Sequence, residues 1–465
     1  MCPPAIAAET TAPTSLAPSS PTIALDASID TSRPGFAAGA SAGWIRSGTV
    51  AYRRAGLALF LAGFASFSLI YCVQPLLPAF AHSFALSPAE SSLALSLTTG
   101  LLALSIVLAG AFSQMLGRRG LMFGSMLLAA LLNLAAALAP SWHGLLAARA
   151  LEGFVLGGVP AVAMAYLAEE IEPSHLGKAM GLYIGGTAFG AMIGRVGMGL
   201  MTEFASWRAA LGVLGVLCIL SAVGFLLLLP RSRHFVPQRD LSLSFHLSAW
   251  AGHLRNRALL RLYGIGFLLT SIFVTLFNYS TFRLSGAPYH LSQTQVSMLF
   301  LAFGFGIVSS SLAGSLADRF GRRPLVVAGF LIMLAGVLLT MASPLVAIAG
   351  GVALVATGFF IGHSVTSSSV GRLAGLSKGH AASLYLLFYY IGSSVTGSIG
   401  GWFWEHGGWV SIAALTGALA LAGAGLALGL PALAESGSPK AYNPKSSSPK
   451  SSSPKSCRPD ARGSM

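Results

Sequence analysis

Long apolar stretches separated by short polar breaks run through most of this chain. Twelve of them are about 19–27 residues long, enough to cross a hydrocarbon layer of ~30 Å as helices. Their limits fall near 55–80, 91–113, 120–139, 144–168, 179–202, 209–230, 262–282, 293–317, 324–342, 345–371, 379–403 and 409–430. The breaks are short except after the sixth stretch, where 231–261 is long and holds six arginines. Phe235, Leu241, Phe245, Trp250 and Leu254 alternate there with polar residues, a pattern expected of a segment lying in a membrane interface. The expectation is an all-α membrane protein: twelve transmembrane helices in two pseudo-symmetric six-helix halves.

A repeat supports the two halves. The pattern Gly-x-x-x-[Asp/Gln]-x-x-Gly-Arg-Arg occurs at Gly110–Arg119 and again at Gly314–Arg323, each time between one apolar stretch and the next. A basic turn repeated at this spacing marks a duplicated unit, and duplicated helical membrane domains are characteristic of transporters. Its glycines suit tight turns, and its arginines suit the headgroup region. The expected segments are an N-terminal tail (1–50), an N-terminal half (51–230), a basic linker (231–261), a C-terminal half (262–430) and a basic C-terminal tail (431–465).

Composition agrees. Only 9% of residues are charged and 54% are hydrophobic, against about 25% charged in a soluble domain. The formal charge of +14 reads as topology, with no nucleic-acid partner implied. On the span assignment, 24 of the 28 Lys and Arg lie on one side, leaving Arg149, Arg195, Arg208 and Arg283. That asymmetry places both termini in the cytoplasm. The N-terminal tail is rich in Ala, Pro, Ser and Thr and the C-terminal tail in Pro, Ser and Lys, and both are expected to be disordered. Trp142, Trp207, Trp402, Trp404 and Trp409 fall near expected outer span ends, the level indoles prefer. Cys2, Cys72, Cys218 and Cys457 have no redox or metal spacing, and the ten histidines form no ligand array.

The twelve-span frame with this turn between spans 2 and 3 and between 8 and 9 resembles the major facilitator superfamily over about 55–430. The second copy, with Gly314, Asp318, Arg319, Gly321, Arg322 and Arg323, matches that family's loop motif in full. The first copy, with Gly110, Gly117, Arg118 and Arg119, departs from it at Gln114, where the family carries Asp. Arg149-x-x-Glu152-Gly153 in span 4 is similar to the Arg-x-x-Gln-Gly motif of drug–proton antiporters. Tyr71-Cys-Val-Gln-Pro75 resembles the first span of the drug- and arabinose-efflux branch. The resemblance implies a monomeric bacterial inner-membrane carrier without cofactor, taking a small-molecule substrate across the lipid bilayer.

Arg149, Glu152 and Arg195 are the charged residues well inside the expected spans, and charge at such depth by default marks function. At 1.5 Å per residue, Glu152 lies roughly 12 Å and Arg195 roughly 10 Å from the outer span ends, with Arg149 one turn from Glu152. Similar heights allow Glu152 to alternate between pairing with an arginine and carrying a proton, or to sit in a fixed Arg–Glu–Arg clamp. Two arginines facing one acid also leave positive charge for an anionic solute. His363 is a second proton candidate. Gln74, Asn278 and Tyr389 are candidate cavity residues. Gly186, Gly190 and Gly194 recur every four residues, giving span 5 a thin face for a neighbouring helix. No Gly-x-x-x-x-Gly-Lys-[Ser/Thr] loop is present, so transport would draw on a gradient. The reading is a secondary transporter, not an enzyme, exporting a small organic solute or drug against protons. A sugar or organic-anion uptake carrier and a non-transporting sensor with the same fold are the alternatives.

Overall fold

A computed structural model describes residues 43–234, 243–375 and 377–430, and within them no side chains for 110–116, 161 and 243. The expected tails and Phe235 and Leu241 of the linker, like Cys2 and Cys457, fall outside these residues, except for a short N-terminal stretch. Ile45 bridges Ile171 in parallel, its N–H donating to the Glu170 carbonyl at 2.9 Å. Residues 45–49, assigned by the sequence to the tail, are therefore docked on the end of span 4.

The described chain is helical: α1 Val50–Tyr71, α2 Leu77–Phe84, α3 Pro88–Leu116, α4 Arg118–Leu138, α5 Trp142–Leu156, α6 Pro160–Glu170, α7 Leu176–Phe204 and α8 Trp207–Leu228. After them come α9 Leu243–Arg255, α10 Arg257–Ser285, α11 Gln293–Ser297, α12 Phe303–Phe320, α13 Arg322–Leu339, α14 Leu345–Leu373 and α15 Lys378–Leu428. Among the described residues nine helical stretches are long and apolar enough to cross a membrane. Three places account for the difference from the expected twelve. Span 4 is divided between α5 and α6 at Gly157–Val159, ahead of Pro160. Span 5, the glycine-rich α7, is not one of the nine, since its glycines add little hydropathy and Arg195 subtracts from it. Spans 11 and 12 form one assigned helix, α15, interrupted at Gly408 by non-helical φ 58° and ψ −145°.

Helix starts follow from local chemistry. Thr49, Ser87, Ser141, Ser206, Asn256 and Ser292 each accept a backbone N–H of their own first turn. Ser87–Glu90 and Ser292–Gln295 close reciprocal boxes, and each cap contributes about 1 kcal/mol. The repeated motif turns share one geometry: Gly117 (φ 76°, ψ 132°) separates α3 from α4, and Gly321 (φ 88°, ψ 155°) separates α12 from α13. A side chain is strained at such φ, so glycine belongs there. The face carrying these turns and α9 is called the motif face below.

The two halves repeat their packing: α1 lies on α7, and α10 lies on α15. A Cβ at Gly190 or Gly186 would fall 2.7 Å from the Phe64 Cα or 2.9 Å from the Phe60 Cα, so α7 meets α1 backbone to backbone. Trp142 and Trp207 differ from expectation. Both are buried, packed edge-on or tilted against Phe80 and Phe84, with Trp207 Nε1 donating to Ser83 at 3.0 Å. They pin α2 to α5 and α8 instead of facing lipid headgroups, whereas Trp402 is exposed.

Candidate functional site

Pro75 has no N–H and α1 stops at Tyr71, so its last carbonyls need partners from elsewhere. Arg149 on α5 supplies them. Its Nη1 donates to the Leu69 carbonyl at 3.0 Å and its Nη2 to the Ile70 carbonyl at 2.9 Å. The same Nη1 meets Glu152 Oε2 at 2.6 Å, an i,i+3 pair with both side chains fully buried. Glu152 Oε1 has no hydrogen-bond partner among the described residues. Gly153 lets α5 close onto the Thr98 backbone of α3, and Thr98 donates to the Arg149 carbonyl at 3.1 Å. The pair is thus sealed inside the N-terminal half.

Arg195 does not join it. The glycine seam fixes the rotation of α7, and the position after Gly194 points about 100° away from it. Arg195 Nε donates to Gln74 Oε1 at 2.7 Å, and Nη1 to the Ala191 carbonyl of its own helix. Its guanidinium carbon lies 4.1 Å from the Tyr71 ring centre and 4.7 Å from that of Phe303. Among the described residues Nη2 makes no hydrogen bond and no carboxylate lies within 4.0 Å of the group, which is 1% exposed. The expected Arg–Glu–Arg arrangement is therefore replaced by one closed pair and one separate cation. Equal height along the helices was not enough; their rotation separates the groups.

Beside Arg195 is a cavity of ≈ 360 Å³ between the halves. Tyr71 and Tyr183 line it from the N-terminal half, and Phe273, Phe359, His363 and Tyr389 from the C-terminal half. Its lining contains no carboxylate. His363 Nδ1 is 2.8 Å from the Tyr385 hydroxyl, and its ring lies parallel to Phe359 at 5.7 Å. Of the cavity candidates, Tyr389 is in the lining. Gln74 and Asn278 are not: both are fully buried, with Gln74 Nε2 donating to Asn278 Oδ1 at 2.8 Å across the two halves. The rings of Tyr71, Phe273 and Phe359 in the lining and the pairing of Gln74 with Asn278 were missed because neither makes a local motif.

Hydrogen bonds joining the halves cluster toward the face opposite the motif turns. Ser292 Oγ and Thr294 N each donate to Glu203 Oε2 at 2.8 Å. Gln293 donates to the Pro75 carbonyl, Ala89 N to Glu405 at 3.3 Å, and Ser394 Oγ to the Ser96 carbonyl at 2.6 Å. The bonds from Thr294 and Ser292 hold the Glu203 carboxyl below its ordinary range. Ser292-x-x-Gln295 is a local capping pattern that could have marked this helix start, but nothing local announces Glu203 as its partner.

The motif turns are tied within their own halves. Arg118 grips Glu169 at the end of α6, Nε to Oε2 at 3.1 Å and Nη2 to Oε1 at 2.5 Å. Arg119 donates to the Leu226 carbonyl. At the corresponding place in the second half, Arg322 donates to Ser368 and Ser369 of α14 at 2.9 and 3.1 Å. Asp318 stands 4.0 Å from Arg322, Arg319 lies over Phe320, and Arg323 is exposed. Nothing touches the Cα side of Gly314, and Gly110 and Gln114 lie where side chains are not described. The missing acid at Gln114 is made good by Glu169, from a different helix. On this face His246 of the linker helix α9 meets His380 of α15, in the C-terminal half, at 2.9 Å.

The sequence profile of the Major Facilitator Superfamily matches residues 59–288 and 284–459. An uncharacterized MFS-type transporter of Bacillus subtilis, YybF, is 46% identical over 369 residues, 79% of this chain and 91% of its own length. The inner membrane transport protein YnfM of Escherichia coli is 47% identical over 375 residues, 80% of this chain and 89% of its own. Among solved structures, the nucleoside transporter NupG superposes with a TM-score of 0.68 at 14% identity, covering 81% of this chain and 99% of that one. That likeness is one of fold.

Proposed function

The chain belongs to the Major Facilitator Superfamily and is a membrane transporter of that type, and from that premise we propose that it exports a small organic solute in exchange for protons. The observation that carries the reading is the cavity between the halves, lined from both and hydrogen-bonded shut on the face opposite the motif turns. In this reading the motif face is cytoplasmic, the membrane is the bacterial inner membrane, and the state described receives solute from the cell. Rocking of the halves about the cavity breaks the bonds of Gln74, Glu203 and Glu405 and releases the solute outside. The Arg149–Glu152 pair, similar to the antiporter motif, favours the drug- and arabinose-efflux branch.

Coupling needs a carboxylate that gains and loses a proton as the protein moves. Glu152 has one oxygen on Arg149 and one without a partner. Protonation at Oε1 would remove the charge that Arg149 neutralises, leaving Arg149 on the Leu69 and Ile70 carbonyls at the end of α1. Movement of the break between α1 and α2 therefore changes the proton affinity of Glu152, and the reverse.

The test is proton movement in proteoliposomes on addition of organic acids, sugars or cationic dyes, with Glu152→Gln alongside. A solute-triggered proton flux that disappears in folded Glu152→Gln supports exchange through this carboxyl. Solute movement without proton flux, or an unchanged pH profile in the variant, overturns it.

A further inference from the structure

Arg195 has features the transport reading leaves unused. It is a buried cation that, among the described residues, has no carboxylate partner and one terminal nitrogen without a hydrogen bond, and it has a place in the cavity lining. An unneutralised buried charge is costly, and a site keeps one where a ligand completes it. Aromatic rings supply part of that neutralisation through Tyr71, Phe300 and Phe303, within 4.1 to 5.3 Å of the guanidinium carbon. We propose that the cavity binds a small organic monoanion, a carboxylate on a flat apolar body, with the carboxylate on Arg195 and the body between the aromatic rings. This deepens the transporter reading by naming the class of solute and rests on it for the direction of movement.

The chemistry selects this class. With one cation and no acid in the lining, an organic cation would meet the repulsion of Arg195 at a dielectric well below that of water, offset only in part by cation–π attraction to the rings. A neutral solute could accept from Nη2 but would leave the charge of Arg195 unneutralised, and a sugar would find more rings than hydroxyl partners. A dianion would bring one charge more than the site can match. Across the cavity His363 stacks on Phe359, so a flat ring reaching from Arg195 to that stack touches both halves.

The geometry also links binding to the opposite face. A carboxylate forks onto two neighbouring guanidinium nitrogens. The edge formed by Nη2 and Nε is available only if the anion displaces Gln74 Oε1 from Nε. Gln74 is the residue that bridges to Asn278 across the halves. Solute arriving on Arg195 thus loosens a bond that keeps the opposite face shut.

The experiment measures binding to the purified full chain by equilibrium dialysis, without a gradient, using naphthoate, naphthamide and naphthylmethylamine as matched anionic, neutral and cationic probes. Naphthoate is expected to bind saturably and about tenfold or more tighter than either other probe, as loss of a charge-assisted bond implies. Arg195→Gln should weaken naphthoate by a similar factor and leave naphthamide unchanged. Gln74→Leu, which removes the competitor for Nε, should tighten naphthoate. Equal or better binding of the amine or amide, or full naphthoate binding in Arg195→Gln, overturns the proposal. If Arg195→Gln does not fold, the wild-type probe series decides alone. Because no proton or solute flux is read, failure here leaves the exchange reading standing, and failure of exchange leaves this result standing.

Discussion

Replacing Asn278 with Leu should open the face opposite the motif turns. The side chains share heavy-atom count and branching, so packing on α10 is largely retained while the Gln74–Asn278 bond of 2.8 Å is lost. The closed state then leaves the Gln74 amide nitrogen unpaired, in a place where both residues are fully buried. Against that, Asn278 Nδ2 is already buried without a partner, and Leu removes this unsatisfied donor. The two desolvation costs nearly offset, leaving the net worth of one neutral hydrogen bond, about 0.5–1.5 kcal/mol. The closed state loses that amount relative to the open one, in which Gln74 meets water. The ratio of open to closed should rise about 2- to 13-fold. The reporter is Ser96→Cys, a position 3% exposed on this seam, in a chain whose native cysteines are replaced. Its reaction rate with a membrane-impermeant maleimide, applied from the opposite face, follows the open fraction. An unchanged or slower rate in folded Asn278→Leu would show that packing alone closes this face and would refute the reasoning.

Other consequences follow from the same geometry. Glu203 has its carboxyl lowered from the ordinary value of 4.5 by Thr294 and Ser292. Its contribution to closure is therefore fully present above that pH and lost as pH falls through the lowered value; Ser96→Cys labelling should rise only in that acid range, and Glu203→Gln should abolish the pH step. Gly190→Ala should cost about 1–3 kcal/mol or more and lower the yield of folded protein, because backbone of α1 occupies the Cβ position. Gly185→Ala, inside the same helix and with nothing within 4 Å, should be neutral to stabilising by up to about 1 kcal/mol in a thermal-unfolding comparison. Arg149→Ala should destabilise by about 3–5 kcal/mol by leaving Glu152 and two carbonyls unpaired. Adding Glu152→Leu should recover part of the loss, and a double variant no more stable than Arg149→Ala would contradict that assignment.

Much of the architecture was legible because apolar length and repeated turns are local signals. The turns at Gly117 and Gly321 were marked by sequence and share one backbone geometry. The seam of Gly186, Gly190 and Gly194 was visible in spacing and faces α1. The site was only half legible. Depth along a helix can be counted from the sequence, so Arg149, Glu152 and Arg195 were singled out together. Rotation depends on which neighbour a helix packs against, and that separates Arg195 from Glu152. Partners contributed by distant segments were equally hidden: Glu169 for Arg118, Glu203 for α11, and Gln74 for Asn278. Trp142 and Trp207 have the position of interfacial anchors, yet the break at Pro75 and Pro78 brings Phe80 and Phe84 against them.

The central claim is that one cavity is reached from the two faces in turn. The most direct measurement is maleimide reactivity of Ser310→Cys, which replaces a lining residue, applied from the face opposite the motif turns. It is made before and after a disulfide is formed by the Ser96→Cys and Ser394→Cys pair, whose native side chain and backbone are 2.6 Å apart. The account predicts that labelling from this face stops when the disulfide forms and returns on reduction, while labelling from the motif face continues throughout. Labelling from the opposite face that proceeds at the same rate through the closed seam would contradict it.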